Sequence, residues 1–397
     1  MVERDQVFHL PEAHEQREHI LVIGVGGGGG NALNHIIDSG IDGVEFLAAN
    51  TDARALGKNK APHKIVLGEK LTKGLGAGAD PQVGMDAAKE SIERIREYVE
   101  GIDMVFITAG MGGGTGTGAA PIIAEVAREM GVLVVGVVTM PFSFEMKRRT
   151  DVAKEGIIKL KEKVDALLVV ENDRLLQQAD DKLKSTDAYK MANEVLRQAV
   201  HGVTDIILYP GDINVDFADV KAIMKNAGSA IMGIGVGEGD NRAEMAARNA
   251  IKSPLMSVSP KGAKGILVNI ATGPDVGLLE MKKAVDVINE TADKDAQVIW
   301  GHSINESFGS TIRITVIATG FSVDREQVDI PLMNDRFMEV SQKHGRSVAP
   351  QSLVKGVGPN RPSSEEGSAS PANNEDMFSG MPKTAYDTPA IYRRRQK

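Results

Sequence analysis

The stretch MVFITAGMGGGTGTG, Met104–Gly118, opens as an apolar β-like run and closes with five glycines and two threonines in seven positions. A glycine inside regular structure costs about 0.5–1 kcal/mol relative to alanine, so this density answers some need of the backbone. Close approach to an anion is one such need. Amides at a helix N-terminus carry partial positive charge and, with no Cβ in the way, reach phosphate oxygens. The helical run AAPIIAEVAREMG (Ala119–Gly131) follows at once, so the segment reads as strand, glycine loop, helix.

Outward from this segment the pattern repeats. HILVIG (His19–Gly24) leads into GVGGGGGN (Gly24–Asn31) and the helical NALNHIIDSG; VEFLAAN, VLVVGVVTM and ALLVVEN are further apolar runs with helical stretches between them. Strands that are apolar throughout and separated by helices predict a parallel sheet covered on both faces, a doubly wound α/β domain. A long helical stretch follows, with Met191, Val195, Ala199 and Val203 at helical spacing. Beyond it GILVNIAT and TIRITVIATGF alternate with LLEMKKAVDVINETA, a second, smaller α/β unit. From 341 to 386, 21 of 46 residues are Gly, Pro, Ser or Asn, a composition that cannot offset its ordering entropy and predicts disorder. The expected divisions are a flexible N-terminal segment 1–19, the nucleotide domain 20–187, a connecting helix 188–209, the second domain 210–322, a flexible linker 323–386 and a terminal peptide 387–397.

Composition narrows the function. The absence of cysteine excludes disulfides and thiolate metal sites and fits a reducing compartment, and the eight histidines show no ligand spacing, so no resident metal site is expected. The charged N-terminus, broken by Pro11, lacks the apolar core of a signal peptide, and the apolar run around Val132–Met140 is too short to span a bilayer. A soluble cytoplasmic protein is expected. A net charge of −8 argues against broad nucleic-acid binding.

GVGGGGGN satisfies G-x-G-x-x-G, which fits a phosphate site, a tight strand-to-helix turn, or a dinucleotide site with an acidic residue after the second strand; that strand ends in Asn50, with Asp52 two residues on. A second glycine loop in the same sheet favours a di- or triphosphate gripped from two sides, with the Thr115 and Thr117 hydroxyls as added donors and contacts for a magnesium water shell. GLGAGADP (Gly74–Pro81) is a third loop that could close over the terminal phosphate. The chain has no G-x-x-x-x-G-K-[ST], which excludes a standard P-loop enzyme.

GGGTGTG after MVFITAGM, together with NVDFADVK (Asn214–Lys221), resembles the tubulin-like GTPases, in particular their bacterial cell-division branch. AANTDA, GLGAGADP, PFSFEMKRR and ENDRLL follow in family order, and the terminal DTPAIYRRRQ is similar to the family's peptide for membrane-tethering partners. The resemblance implies GTP or GDP, with Mg2+, as ligand. It places Gly27, Gly28, Gly29, Gly30 and Asn31, and Gly112, Gly113, Gly114, Thr115, Gly116, Thr117 and Gly118, around the phosphates. Glu145 and Arg149 would contact the ribose and phosphate side, Asn193 would read the guanine edge supported by Asn172, and Tyr189 would stack on the base. Glu171 stands where relatives usually carry proline, Tyr189 where phenylalanine is common, and Asp212 where leucine is typical.

The phosphate loops hold almost no acids, yet phosphoryl transfer to water needs a group that orients the water. Asp216 and Asp219 are spaced i, i+3, which by itself reads as a helix N-cap and an acidic first turn. By the resemblance, Asp216 and Asp219 with Asn214 instead complete the nucleotide site of the next subunit in a head-to-tail filament, a heterologous contact that leaves its ends open. The implied protein is a GTPase that polymerises into the division ring, is cytoplasmic at the division site, and reaches the membrane only indirectly through Asp387–Lys397. A nucleotide-binding scaffold and a dinucleotide oxidoreductase are the competing readings.

Overall fold

The computed structural model describes residues 18–176, 183–208, 213, 215–256 and 260–321. The expected N-terminal segment up to residue 17, Asn214, Asp212, the linker and the terminal peptide lie outside the described residues. The strands are β1 (Ile20–Val25), β2 (Val44–Asn50), β3 (His63–Val66), β4 (Met104–Gly110), β5 (Leu133–Met140), β6 (Ala166–Glu171), β7 (Gly228–Gly237), β8 (Gly265–Thr272), β9 (Gln297–Ile304) and β10 (Ile312–Thr319). The helices are α1 (Gly26–Asp38), α2 (Ala53–Gly57), α3 (Glu69–Thr72), α4 (Pro81–Glu90), α5 (Ile92–Val99), α6 (Thr115–Glu129), α7 (Lys147–Lys161), α8 (Asn172–Leu176), α9 (Ser185–Leu208), α10 (Phe217–Met224), α11 (Arg242–Ile251) and α12 (Leu278–Thr291).

All ten strands form one sheet in the order β3-β2-β1-β4-β5-β6-β7-β10-β8-β9. The first six follow the doubly wound order 3-2-1-4-5-6, so the strand order reverses between β1 and β4. The central strands are apolar because helices cover both faces: β1 and β5 are buried at every residue. The sheet continues through β6 into β7, parallel over Ala166–Leu168 and Gly228–Ala230. Among the described strands only β10 is antiparallel, wedged between β7 and β8.

One core packs α1, α9 and α10 on the sheet, with Leu33, Ile36, Leu196, Val200, Val203 and Val220 buried against Ile20, Phe106, Leu133 and Leu267. A second core lies under α11 and α12, where Ala246, Ala250, Met281 and Ile288 meet Ile266, Val268, Ile314 and Val316. Helix α11 comes unusually close to β7. Cβ atoms on Gly233, Gly235 and Gly237 would lie 2.0, 2.0 and 1.9 Å from the carbonyl oxygens of Ala250, Ala246 and Arg242, so these glycines let helix backbone rest directly on strand backbone.

Candidate functional site

The two glycine segments follow β1 and β4, the neighbouring strands at which the order reverses; open α/β sheets bind ligands in the crevice outside the carboxyl ends of such strands. The first is helix rather than loop, and of the second only Gly112–Gly114 form the loop the sequence suggested. Helix α1 already begins at Gly26 and α6 at Thr115, so most of these glycines stand in a helical first turn.

Most of them serve packing. A Cβ on Gly29 would lie 2.2 Å from the Thr108 carbonyl oxygen, on Gly28 3.0 Å from Gly110 Cα, on Gly116 2.7 Å from the Gly110 oxygen, and on Gly118 1.9 Å from the Pro81 oxygen. Gly112 combines φ +90° with a Cβ position 2.6 Å from the Arg149 oxygen, and Gly114 meets Ala77 of the third glycine loop at 2.8 Å. Gly27 and Gly113 differ from these, since a Cβ on either would meet nothing within 4 Å. Their backbone faces open space at the carboxyl end of the sheet.

Thr115 and Thr117 divide in the same way. Thr115 Oγ1 lies 2.7 Å from Thr51 Oγ1, tying the start of α6 to the end of β2. Thr117 is turned inward, 3% exposed, and its oxygen accepts the Gly112 amide at 2.9 Å; it braces the turn from below. The third loop reaches the same place: Leu75 bridges Asp52, and the Ala53 amide donates to the Gly74 carbonyl at 3.1 Å.

Beside α1 lies a cleft of about 480 Å³, with Gly26, Gly27, Gly30 and Asn31 on one wall and Asn50, Asp52 and Arg54 on the other. Sequence spacing gave no reason to include Asn50 or Arg54. Asn59 closes its floor by donating to the Gly30 carbonyl at 2.8 Å. Asp52, the acid a dinucleotide site would need, is used locally: its carboxylate accepts the Arg54 and Ala55 amides at 2.9 and 3.2 Å as the N-cap of α2.

Across β4, at the carboxyl ends of β5 and β6, five more expected residues assemble. Glu145 sits in a 3-10 turn rather than on a helix, its side chain 9% exposed, pairing with Arg149 Nη1 at 3.0 Å and accepting the Phe142 amide at 3.0 Å. The turn requires φ +78° at Met146, left-handed backbone that a side chain adopts only under constraint. Tyr189, one turn into α9, meets the Phe142 ring edge-on at 5.3 Å. Burial, followed by the Glu145 charge, pushes this phenol upward from its ordinary value. Asn172 opens α8, is 4% exposed, and has a buried Oδ1 with no partner. Asn193 lies one turn beyond Tyr189 on α9 and is partly exposed. Glu171, in the position where proline is usual, forms an ion pair with Arg174 at 2.8 Å, and Asp173 accepts the Ser143 amide at 2.9 Å, so side-chain bonds brace this segment where a proline would.

Asp216 and Asp219 stand elsewhere. Asp216 occupies the N-cap of α10 but makes no cap bond, and Asp219 lies in the first turn. Both are exposed, and among the described residues neither carboxylate has a partner. The connection is α9, whose 24 residues span about 36 Å. It begins beside Phe142 at the carboxyl ends of the strands and ends with Leu208 3.4 Å from the Cβ position of Gly43, just ahead of β2. The acids follow that far end.

A doubly wound sheet whose reversal point carries two helix starts with bare backbone defines a nucleotide-binding α/β protein. Residues 19–180 match the Tubulin/FtsZ family, GTPase domain, and residues 228–322 the FtsZ family, C-terminal domain. An FtsZ of M. jannaschii solved as an empty dimer is 43% identical, covering 77% of this chain and 89% of its own, with a TM-score of 0.74. A tryptophan-to-tyrosine variant of FtsZ from M. jannaschii has the same identity and TM-score and is covered over 92% of its length. CetZ1 of Haloferax volcanii, a GDP-bound monomer, shares the fold at 22% identity, covering 77% of this chain and 95% of its own with a TM-score of 0.66. The chain belongs to the FtsZ family; it is a GTPase of two-domain FtsZ architecture that binds guanine nucleotide.

Proposed function

We propose that the protein hydrolyses GTP only on assembly, polymerising head to tail into the filaments of a bacterial division ring in the cytoplasm. The observation that carries this reading is the pair Asp216 and Asp219: exposed, unpartnered, and beyond the end of α9 farthest from the glycine segments. Carboxylates so placed serve a second molecule better than their own. Apolar side chains support the same reading, since monomers rarely leave large ones grouped in water. Leu75, Phe144 and Met146 beside the glycine segments are 73%, 56% and 74% exposed, and Leu278 and Leu279 at the start of α12 are 67% and 75% exposed. The M. jannaschii relative is a dimer.

Guanine nucleotide fits the residues present. Gly27 and Gly113 offer backbone unobstructed by any side chain, and the orphaned Asn172 Oδ1 is a buried acceptor suited to a ring donor. In this reading Gly27–Asn31 and Gly112–Thr115 hold the phosphates, Thr117 supports them from beneath, Glu145 and Arg149 hold the ribose side, and Asn172, Tyr189 and Asn193 hold the base. Among the described residues no group of three His, Cys, Asp or Glu stands together, so Mg2+ fits as a counter-ion carried mainly by phosphate oxygens and water. Asn214, Asp216 and Asp219 of the adjacent subunit orient the attacking water. Asp387–Lys397 recruits membrane-tethering and regulatory partners. Among the described residues no helix is long and apolar enough to cross a membrane, consistent with indirect contact.

Phosphate release measured against protein concentration tests this reading. The expected rate rises more steeply than linearly and collapses in Asp216→Ala. Strict proportionality, with Asp219→Ala fully active, would refute it.

A further inference from the structure

Helix α7 touches the glycine turn after β4 at two points. Arg149 and Gly156 stand seven residues apart, two turns of helix, and so share one face of α7. A Cβ on Gly112 would lie 2.6 Å from the Arg149 carbonyl oxygen, and a Cβ on Gly156 would lie 2.2 Å from Cγ2 of Thr117 and 2.9 Å from Cε of Met111. Gly112 is thus held between the start of α7 and the first turn of α6, where its amide donates to Thr117 Oγ1 at 2.9 Å. The methyl and the hydroxyl of Thr117 hang on one Cβ, so the seat of the first decides the aim of the second. Thr117 is 3% exposed and Gly156 is buried, and the room for that methyl is the missing side chain of Gly156.

A side chain at position 156 acts on this arrangement in a definite way. The thioether end of Met111 can swing aside, but the Thr117 methyl sits directly on helix backbone. It yields by rotation about χ1, for which threonine in a helix has two staggered wells, and that rotation carries Oγ1 off the Gly112 amide. Lifting α7 instead draws Arg149 away from Gly112. Either way a buried amide loses a support, in a turn whose φ of +90° at Gly112 is open to glycine and strained for other residues.

We propose that Gly156 is a positioning residue of the phosphate turn: its bare backbone seats the Thr117 methyl and thereby keeps Thr117 Oγ1 on the Gly112 amide. This rests on the reading that Gly112–Thr115 hold the phosphates of a guanine nucleotide. One neutral hydrogen bond is at stake, so the loss in Gly156→Ala is about tenfold in affinity. Serine at position 117 keeps the hydroxyl and lacks the methyl, which makes it the matching repair.

The test is GDP binding by calorimetry to the full-length, nucleotide-stripped chain, with thermal unfolding on the same samples. Gly156→Ala should bind about tenfold more weakly than the parent. Thr117→Ser alone leaves the seat of the methyl empty and should bind about threefold more weakly; in the Gly156→Ala background the same exchange should bring binding back to the level of Thr117→Ser or better. An exchange that harms one background and helps the other is a coupling that a general loss of stability does not give. Gly202→Ala is the matched control, since its Cβ would also meet a threonine methyl, Thr315 Cγ2 at 2.7 Å, but between α9 and β10; it should lower the melting temperature and keep GDP affinity. Gly113→Ala, whose Cβ enters open space, tests the phosphate reading itself and should weaken binding. If Gly113→Ala weakens binding while Gly156→Ala does not, or serine fails to repair Gly156→Ala, or Gly202→Ala weakens binding equally, the inference is overturned and the site reading stands. If Gly156→Ala does not fold, the double variant decides, and weaker binding than Thr117→Ser overturns the inference. If Gly113→Ala binds GDP like the parent, the reading of the turn fails and takes the inference with it.

Discussion

If the glycines divide into those that pack and those that face a ligand, alanine at Gly29 and at Gly27 must act in opposite directions. At Gly29 the new methyl would stand 2.2 Å from the Thr108 carbonyl oxygen, about 1 Å inside an ordinary carbon–oxygen contact of roughly 3.3 Å. Both sides are backbone, so α1 must lift from β4. Overpacking of this kind costs about 1–3 kcal/mol, here toward the upper end because no side chain can swing away, against about 1 kcal/mol returned by replacing a helical glycine. The net loss of about 2 kcal/mol lowers the melting temperature by about 4–8 °C at 2–4 °C per kcal/mol. At Gly27 nothing lies within 4 Å and φ is ordinary, so the same exchange gains up to about 1 kcal/mol and raises the melting temperature by about 2–4 °C. On the proposed reading the methyl then enters the space a phosphate would take, and GDP binding weakens by about tenfold or more, about 1.4 kcal/mol. Thermal unfolding must be followed on nucleotide-stripped protein, since bound ligand itself raises the midpoint, with calorimetry on the same samples. Equal destabilisation by both variants, or a parental melting temperature for Gly29→Ala, would refute the division.

Three further outcomes follow from side-chain contacts. Asp216→Ala and Asp219→Ala remove exposed, unpartnered groups, so each changes unfolding free energy by no more than about 0.5 kcal/mol and leaves GDP affinity intact while phosphate release falls; a large stability loss would show instead that the carboxylates are structural. Burial alone would raise the Glu194 carboxyl, but hydrogen bonds from Arg197, His35 and Gln198 outweigh it and hold it at about 2, below the ordinary 4.5. Its contribution is therefore complete above pH 4.5 and lost as pH falls toward 2; Glu194→Gln should cost about 1 kcal/mol at neutral pH, discounted for partial exposure, and urea unfolding should show that gap closing in acid rather than in base. The Arg242 guanidinium bonds Asp275 at 2.9 Å, Glu280 at 3.0 Å and the Ser310 carbonyl at 2.8 Å with 9% of the side chain exposed, so Arg242→Ala should lower unfolding free energy by about 2 kcal/mol, less than a fully buried pair because both acids are partly in water; a loss below about 0.5 kcal/mol would contradict the clasp.

The parts of the fold legible in the sequence are those where burial alone decides. β1, β2, β4, β5 and β6 are predominantly apolar because helices cover both faces of the sheet, and α9 was visible because Val195, Ala199 and Val203 recur at helical spacing and are buried as that spacing requires. β7 was not legible. Its sequence GSAIMGIGVG places glycine at alternate positions from Gly233 to Gly237 facing α11, and glycine is a strand-weakening residue until the helix that lies on it is known. β3 has four residues and β9 is partly exposed at the other edge of the sheet, so neither carries a strong pattern.

For the candidate site, residue types were legible but not what each one faces. Five consecutive glycines from Gly26 have no local reason to be helical; α1 starts there because Thr108 and Gly110 on β4 press against them, a contact between segments about eighty residues apart that no window contains. The pairing of Thr115 with Thr51 depends likewise on a neighbour distant in sequence. Asp216 is the instructive case. Its spacing to Asp219 reads as a helix cap, and the backbone does adopt the capping conformation, with φ −70° and ψ 147°. The side chain nonetheless takes no helix amide, so the local signal is met by the backbone alone and the charge is left over. At Asp52 the same N-cap position consumes the carboxylate in two amide bonds. Two aspartates that are indistinguishable by sequence rule thus differ in whether their charge is spent within the chain, and the one that keeps it stands beyond the end of α9 remote from the glycine segments, the placement on which the proposed role in a neighbouring subunit's site rests.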